Sequence, residues 1–329
     1  MLSGVQAKLV RTLRTAEVQP GCPDDWDELW QASLKEQVAL PVAKKLGAPV
    51  NEAWLLEQEL AHQARLYWLR KVAGRLEAAG VDAVHLKGPV FAERYYDPPC
   101  GRFSLDFDVA LVPGQVPAAV RALESLGYEA KPLHFVAMDQ HVVLFDEHAP
   151  GVELHYRLLS EFGASQEMEG FLARSRAVEI RGLGTVRVPE AHDEFVFLCA
   201  HAAKHRFRPL RFQYDLARVL EDTPLDGALV WERAGRMRVR RLLALTVVVL
   251  RRDWGLALPD IPIPAAELEK AARILPGFTR PQPPAHTKPE LVRKYAADMV
   301  ACDDLGARMR CCWRLGASFA KRVMKEKFA

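Results

Sequence analysis

The sequence predicts a mixed α+β (α/β) protein, with a small central sheet flanked by N-terminal helices and a C-terminal helical domain. Three observations predict this class. Apolar residues have helical spacing before residue 80, strand-like segments alternate with helices and turns between 81 and 188, and helical spacing returns from residue 189. The 329 residues suffice for roughly two domains of about 150 residues each. We therefore divide the chain into an N-terminal helical region, 1–80, an α/β core, 81–188, and a C-terminal helical domain, 189–329, with a Pro-rich loop near 258–289.

The N-terminal region contains one long candidate helix. It runs from Asn51, which can cap the first turn, to Ala79, and Gly80 lies just past its end. The apolar residues of this segment have the spacing of one helical stripe, which we expect to pack in the core: Trp54, Leu55, Leu60, Leu66, Leu69, Val72 and Leu76.

The α/β core is expected to contain short strands separated by two helices and several turns. The predicted strands are 81–86, 103–112, 140–145 and 152–156, and a hairpin follows over 177–188. The predicted helices are 90–96 and 116–126, the second ending at Gly127.

The C-terminal domain is expected to be helical again. The predicted helices are 190–205, 210–221, 229–254, 265–274 and about 289–328. The longest apolar run, 242–250, is about half of what a membrane span needs, so it predicts a buried helix.

Composition and charge narrow the class of protein. The 45 Lys and Arg residues nearly balance the 42 Asp and Glu residues, and a formal charge of +3 argues against a long nucleic acid as partner. The six Cys residues form no C-x-x-C pair, which indicates reduced thiols rather than a zinc site or a disulfide framework. Because the N-terminus also lacks the apolar run of a signal peptide, we predict a cytoplasmic protein without a membrane partner.

A D-x-D motif stands in the strand predicted at 103–112. Side chains alternate along a strand, so Asp106 and Asp108 should share one face, with Leu105, Phe107 and Val109 on the other. Two carboxylates this close repel each other unless a cation lies between them, and oxygen ligands suit Mg²⁺ or Mn²⁺. The alternative is a half-exposed edge strand with two solvated aspartates.

Two further segments could complete a site for phosphoryl chemistry. Glu153 and His155 share a face of their strand, and pairing of this strand with the D-x-D strand would bring three carboxylates together. Three carboxylates can hold two Mg²⁺ ions, which promote in-line displacement at phosphorus. At a strand-to-helix turn, Gly88 would let the backbone approach a phosphate, whose charge Lys87 or Arg102 could neutralise.

The histidines allow several interpretations. His134, His141, His148 and His155 recur every seven residues, but in strands and turns this period is not expected to place their side chains together. His201 and His205 have a spacing that can bind zinc, although the H-E-x-x-H form is absent. They belong to a polar helical segment that could face the cleft and contact acceptor or triphosphate, or simply be solvated: His201, Lys204, His205, Arg208, Arg211 and Asp215. His155 is expected to support the site or face the substrate.

The ordered residues between Leu86 and Asp108 resemble those of a known family. They run Leu-Lys-Gly, then Tyr, Arg and Asp-x-Asp. A helix ending near 123–128, the segment Val-Glu-Leu-His-Tyr at 152–156 and a His- and Arg-rich segment at 198–218 follow in the same order. This combination, over about residues 20 to 250, is similar to the uncharacterised nucleotidyltransferase family of the DNA polymerase beta superfamily.

The resemblance implies a minimal nucleotidyltransferase core between helical segments. It implies transfer of a nucleoside monophosphate from an NTP, such as ATP, to an acceptor, with release of pyrophosphate and with Mg²⁺ or Mn²⁺ as cofactor. The sequence does not identify this acceptor: we expect a small molecule or a protein, and an RNA end stays open. Asp106 and Asp108 would bind both metals, and Glu153 would ligate the metal that activates the acceptor and could act as general base.

The resemblance also implies a phosphate-binding turn at Gly88, with Lys87 close to it and Arg102 facing phosphate or acceptor. One departure from the superfamily pattern is Pro89, which lacks the N–H that a Ser or Gly would offer to a phosphate. Two alternatives therefore stay open. One is a catalytically weak or inactive nucleotide-binding or regulatory protein of the same fold, such as a sensor or a toxin–antitoxin-like partner; the other is a phosphotransferase that uses the same metal site.

Overall fold

The computed structural model describes residues 2–14, 23–131, 141–158 and 167–279, together with short pieces between 296 and 315. Within these residues the chain forms one seven-stranded mixed sheet and a set of surrounding helices, so the predicted α+β class is confirmed. The strands are β1 Val84–His85, β2 Asp106–Ala110, β3 Glu129–Ala130, β4 His141–Phe145, β5 Gly151–His155, β6 Arg176–Ile180 and β7 Gly184–Val188.

The helices precede, interrupt and follow the sheet strands as predicted, except that the helix at 168–173 and the strand at 129–130 were not predicted. They are α1 Gly4–Arg14, α2 Trp26–Lys35, α3 Ala39–Leu46, α4 Glu52–Ala78, α5 Gly88–Tyr95, α6 Val116–Glu124, α7 Met168–Ala173, α8 Ala191–Lys204, α9 Arg211–Asp222, α10 Gly227–Arg236, α11 Arg240–Val249 and α12 Ala265–Phe278.

The sheet has the strand order β3-β4-β5-β2-β1-β7-β6. The central pair, β2 and β5, is parallel, and β4 pairs with β5 as an antiparallel hairpin. The hairpin β6–β7, predicted at 177–188, joins the same sheet because β7 lies parallel to β1. Chain segments that are far apart in sequence therefore contribute neighbouring strands.

The D-x-D strand is shorter than predicted. β2 begins at Asp106, so Leu105 precedes the strand and is 69% exposed, whereas Phe107 and Val109 are buried on the apolar face as expected. The prediction that Leu105 packs with them was wrong, because the alternation of side chains holds only inside the strand.

Helix α4 begins after Asn51, whose side chain accepts a hydrogen bond from the Trp54 N–H at 3.0 Å, so the predicted N-cap is confirmed. The C-terminal half of its apolar stripe is buried, whereas Leu60 is 62% exposed. The prediction of one continuous buried stripe was wrong in its N-terminal half, because helical spacing does not show where along 27 residues a packing partner ends.

Two apolar clusters form the core. One contains the apolar side chains of β2 and β5, such as Phe107 and Val152, together with the C-terminal half of α4 and residues of α6. The other joins β1 and α5 to the N-terminal helices and to helices α8 to α11, and Leu9, Phe91 and Phe195 belong to it. The N-terminal and C-terminal helices thus pack against each other.

The C-terminal helices differ from prediction in their ends. The segment predicted at 229–254 consists of α10 and α11, separated near Arg238, which has a φ of +56°. The apolar run 242–250 lies in a buried helix, as predicted. α12 lies inside the Pro-rich segment, where a helix was predicted at 265–274, and it ends later than predicted, at Phe278. Residues 280–289 of this segment lie outside the described residues, as does most of the helix predicted beyond 289. Among the described helices, none has the length and apolar composition to cross a membrane.

Candidate active site

A cleft of about 330 Å³ lies between the β2–β5 part of the sheet and the helices α8 and α9. Every residue that we predicted for the site lines this cleft: Lys87, Gly88, Arg102, Asp106, Asp108, Glu153, His155, His201, His205 and Arg211. The fold therefore brings together side chains that are more than one hundred residues apart in sequence.

The parallel pairing of β2 with β5 places the acidic residues side by side. Asp108 lies directly opposite Glu153 in this register, and Asp106 lies opposite Gly151. Asp108 is buried, with 3% exposure, and Glu153 is more accessible, with 26% of its side chain exposed. We expected three carboxylates to come together if the D-x-D strand pairs with the strand of Glu153, and these strands, β2 and β5, do pair.

Two cationic groups contact the buried carboxylate of Asp108. Lys87 Nζ lies 2.9 Å and His155 Nε2 lies 3.0 Å from Asp108 Oδ1. Burial acts to raise the pKa of Asp108, but Lys87 and His155 outweigh it and hold this pKa well below its usual range. The same His155 nitrogen lies 3.3 Å from Glu153 Oε2. Burial would lower the pKa of His155, but its bonds to the two carboxylates raise it.

Asp106 lacks this compensation. Among the described residues it forms no ion pair, and burial together with the neighbouring charge of Asp108 raises its pKa. Burial would also raise the pKa of Glu153, but the hydrogen bond from His155 lowers it. Asp106 and Asp108 project from the same face of β2, and carboxylate oxygens are the ligands that a hard divalent cation prefers.

The turn at Gly88 lies against the D-x-D strand. Gly88 has a φ of +71°, and a Cβ at this position would lie 3.3 Å from the Asp106 carbonyl oxygen. Both observations favour glycine here. Pro89 occupies the first turn of α5, as predicted, where its missing N–H breaks no helical hydrogen bond.

Helices α8 and α9 form a polar wall opposite the carboxylates. His201, Lys204, His205, Arg208 and Arg211 line the cleft, as predicted for this face, whereas Asp215, the sixth residue of the predicted face, does not. His201 Nε2 lies 3.4 Å from Lys87 Nζ, and burial with the nearby Lys87 charge holds the pKa of His201 well below its usual value. The wall therefore offers a neutral imidazole among basic side chains.

Arg102 is held more tightly than the sequence indicated. Its guanidinium makes two bonds of 2.9 Å to Asp215 and donates to the Gly88 carbonyl oxygen at 3.3 Å. Asp215, which we expected on the polar helical face, is 1% exposed and also accepts from the Tyr96 hydroxyl at 2.6 Å. The Arg102–Asp215 pair therefore stabilises the Gly88 turn through the hydrogen bond from Arg102 to the Gly88 carbonyl oxygen. Contact of Arg102 with a phosphate stays a prediction.

His141 is a residue of the site that sequence reasoning missed. We expected the histidines at seven-residue intervals to have side chains that lie apart, and this was wrong for His141 and His155. β4 and β5 form a hairpin in which these two residues lie opposite each other. Their ring centroids are 4.9 Å apart. Pairing the two predicted strands across their turn would have found this contact. His148 lies exposed in that turn, and His134 lies outside the described residues.

Glu36 is a second missed residue, and it acts from outside the cleft. Its carboxylate accepts a hydrogen bond from the Leu210 N–H at 2.8 Å and lies 3.3 Å from Arg208 Nη1. The adjacent Gln37 accepts from Arg211 Nε at 2.8 Å. These contacts fix the start of α9, Arg208 in the turn before it and Arg211 at its first position. No sequence pattern pointed to them, since the partners are about 170 residues apart.

Comparison with known proteins places the chain in a family. The model of a family described as an uncharacterised nucleotidyltransferase matches residues 9–254, about three quarters of the chain. No curated protein matches the sequence significantly. The matched range includes all the residues that line the cleft. The chain therefore belongs to this family of uncharacterised nucleotidyltransferases, as the resemblance predicted.

Proposed function

We propose that the protein is a Mg²⁺-dependent nucleotidyltransferase that moves a nucleoside monophosphate from an NTP to an acceptor and releases pyrophosphate. The observation that carries the proposal is the parallel register of β2 and β5, which pairs Asp108 with Glu153 and leaves Asp106 beside them in a cleft. Membership of a nucleotidyltransferase family supports this general kind of reaction.

Asp106, Asp108 and Glu153 would hold the divalent cations, Mg²⁺ or Mn²⁺. When bound, these cations would neutralise the triphosphate and lower the pKa of the acceptor hydroxyl. The carboxylates supply oxygen ligands, and the lack of an ion pair at Asp106 among the described residues supports this assignment. Lys87 and His155, which neutralise Asp108 in the described arrangement, would turn toward phosphate or acceptor when a cation replaces them.

The nucleotide would lie between the Gly88 turn and the polar wall. Gly88 permits close approach of the phosphates, and Lys87 stands at the N-terminus of α5, where the helix dipole favours an anion. On the opposite wall, His201 and Arg211 would contact the triphosphate. The ring of His205, stacked 4.7 Å from that of Phe212, offers a flat surface to a base or acceptor. We propose a small molecule or a protein as acceptor.

The test is the fate of labelled nucleotides. The protein is incubated with Mg²⁺ and with ATP, GTP, CTP or UTP that carries the label on either the α- or the γ-phosphate. Nucleotidyl transfer puts the α-label on an acceptor and releases γ-label as pyrophosphate. Release of a nucleoside diphosphate with γ-label on the acceptor would instead identify a phosphotransferase.

Two observations favour a second candidate, a nucleotide-binding regulatory protein with weak or no catalysis. Pro89 removes a phosphate-binding N–H from the turn, and Lys87 is paired with Asp108. In this case calorimetry would detect binding of an NTP with Mg²⁺, while neither label would move across a broad set of acceptors. A Pro89→Ser variant would then bind the nucleotide more tightly.

A further inference from the structure

His141, Glu153 and His155 form a cluster whose ligand atoms lie within 4.8 Å of one another. Glu153 Oε2 lies between the two imidazoles, 3.9 Å from His141 Nε2 and 3.3 Å from His155 Nε2. We propose that these three side chains form a second cation site, which takes a borderline transition metal such as Mn²⁺, Co²⁺ or Zn²⁺.

The cluster is built by the hairpin and not by neighbours in sequence. His141 on β4 lies directly opposite His155 on β5, and Glu153, two residues before His155, projects from the same face. The antiparallel pairing of β4 with β5 therefore sets the spacing of all three ligands. All three side chains line the cleft, so a cation can enter from solvent.

The ligand chemistry differs from that of the aspartates. Two imidazole nitrogens and one carboxylate suit Mn²⁺, Co²⁺ and Zn²⁺, whereas Mg²⁺ prefers an all-oxygen shell. Asp108 Oδ1, which lies 3.0 Å from His155 Nε2, offers a fourth ligand. The site would thus select its cation by ligand type even where Mg²⁺ is abundant.

The second site does not depend on nucleotidyl transfer, but it shares Glu153 with the proposed Mg²⁺ site. A transition metal bound by the histidines uses the carboxylate that also belongs to the Asp106–Asp108 set. Binding of the two kinds of cation is therefore linked through Glu153, and through Asp108 where it acts as the fourth ligand. The concentration of the transition metal would then determine which of the two cations Glu153 binds.

The experiment titrates the metal-free full-length protein with Co²⁺ in the presence of a large excess of Mg²⁺. Visible absorption reports nitrogen ligation of Co²⁺, and isothermal calorimetry gives the stoichiometry and the dissociation constant. We expect one Co²⁺ per chain that Mg²⁺ does not displace. Displacement of Co²⁺ by Mg²⁺, or a spectrum without nitrogen ligation, would overturn the proposal.

Matched variants locate the site. His141→Ala should weaken Co²⁺ binding by about tenfold or more, because it removes one ligand. His148→Ala, which changes an exposed histidine of the same hairpin, should bind Co²⁺ like the wild type. Equal Co²⁺ binding by His141→Ala and the wild type would overturn the assignment, and circular dichroism verifies that both variants are folded.

A third variant separates this proposal from the proposed function. Asp106 is outside the histidine cluster, so Asp106→Asn should keep the Co²⁺ spectrum while it removes nucleotidyl transfer. Loss of the spectrum in Asp106→Asn would contradict the assignment of the ligands. A wild-type protein that binds Co²⁺ at this site but transfers no nucleotide would leave the second site standing and remove the proposed reaction.

Discussion

The charges of Asp106 and Asp108 are compensated unequally, although one residue separates them. Asp108 contacts Lys87 and His155, whereas Asp106 has neither contact, and burial beside Asp108 raises its pKa. A folded protein gains nothing in stability from holding Asp106 charged in this place. This unequal compensation supports the proposed cation-binding role of Asp106.

We expect Asp106→Asn to abolish nucleotidyl transfer without unfolding the protein. Metal ligands supply several kcal/mol of charge stabilisation, so the rate should fall by about a thousandfold or more. Because the substitution removes repulsion with Asp108, the free energy of unfolding should not decrease. Asp108→Asn and Glu153→Gln should also lose transfer.

The measurement is the initial rate of α-label transfer, together with urea denaturation. Glu129→Gln is the control, since Glu129 is an exposed carboxylate of the same sheet outside the cleft. Normal turnover in both aspartate variants would remove these residues from the active site.

His85 predicts how stability depends on pH. This residue of β1 is buried with 5% exposure, and burial lowers its pKa from 6.5 to about 4. Between about pH 4 and pH 6.5 the His85 imidazole binds a proton in the unfolded chain but stays neutral in the folded chain. The free energy of unfolding should therefore fall as the pH falls from about 6.5 to 4, with His85 contributing up to about 3 kcal/mol.

A His85→Gln variant should lack this contribution. Its free energy of unfolding, measured by urea denaturation at several pH values, should decline less than that of the wild type below pH 6.5. Parallel curves for the two proteins over this window would show that His85 does not control the acid sensitivity. Comparison at pH 8, where the imidazole is neutral in both states, measures the cost of the substitution itself.

At the scale of elements, local sequence patterns predicted the positions of helices and strands better than they predicted which strands pair. Caps and periodicity located α4, α8 and the hairpin β4–β5 closely, because these signals lie within one segment. The parallel pairing of β1 with β7 brings together residues about one hundred positions apart, for which no local signal exists. The Asp and Glu residues of the site could be predicted from alternation, whereas His141 needed the register of a hairpin.

Two glycines in different elements give opposite predictions for the same substitution. Gly88→Ala should cost about 1–2 kcal/mol of stability, because Gly88 has a φ of +71° and a Cβ would crowd the Asp106 carbonyl oxygen. Gly74→Ala should instead stabilise by about 0.5–1 kcal/mol, since Gly74 lies inside α4 with open space around its Cβ position.

Urea denaturation measures both effects, and Gly74→Ala serves as the matched control. Nucleotide binding, measured by calorimetry, should weaken only in Gly88→Ala, because this turn is the proposed phosphate site. A Gly88→Ala protein with unchanged stability would contradict the strained geometry of the turn.

At the scale of the whole molecule, buried ion pairs join the sheet to the C-terminal helices. Arg102, next to β2, pairs with Asp215 of α9, and Arg94 of α5 pairs with Glu194 of α8. One apolar cluster also includes residues from α1, β1, α5 and α8 to α11. Described residues of the regions 81–188 and 189–329, which we predicted as separate domains, therefore belong to one apolar cluster, and we expect the two regions to unfold together.

The Arg102–Asp215 pair tests this coupling. Arg102→Met leaves the buried Asp215 carboxylate with only Arg211, whose Nη1 lies 3.6 Å from Asp215 Oδ2, as its cation. Asp215→Leu leaves the buried Arg102 guanidinium without its carboxylate, so each variant should cost up to about 3–5 kcal/mol. The double variant should recover much of this loss, since apolar side chains of similar volume can replace a buried pair. Circular dichroism and tryptophan fluorescence should report one coincident unfolding transition in the wild type and in all three variants. Two separate transitions in the single variants, one for each region, would show that the sheet and the helices are independent domains held together by this ion pair.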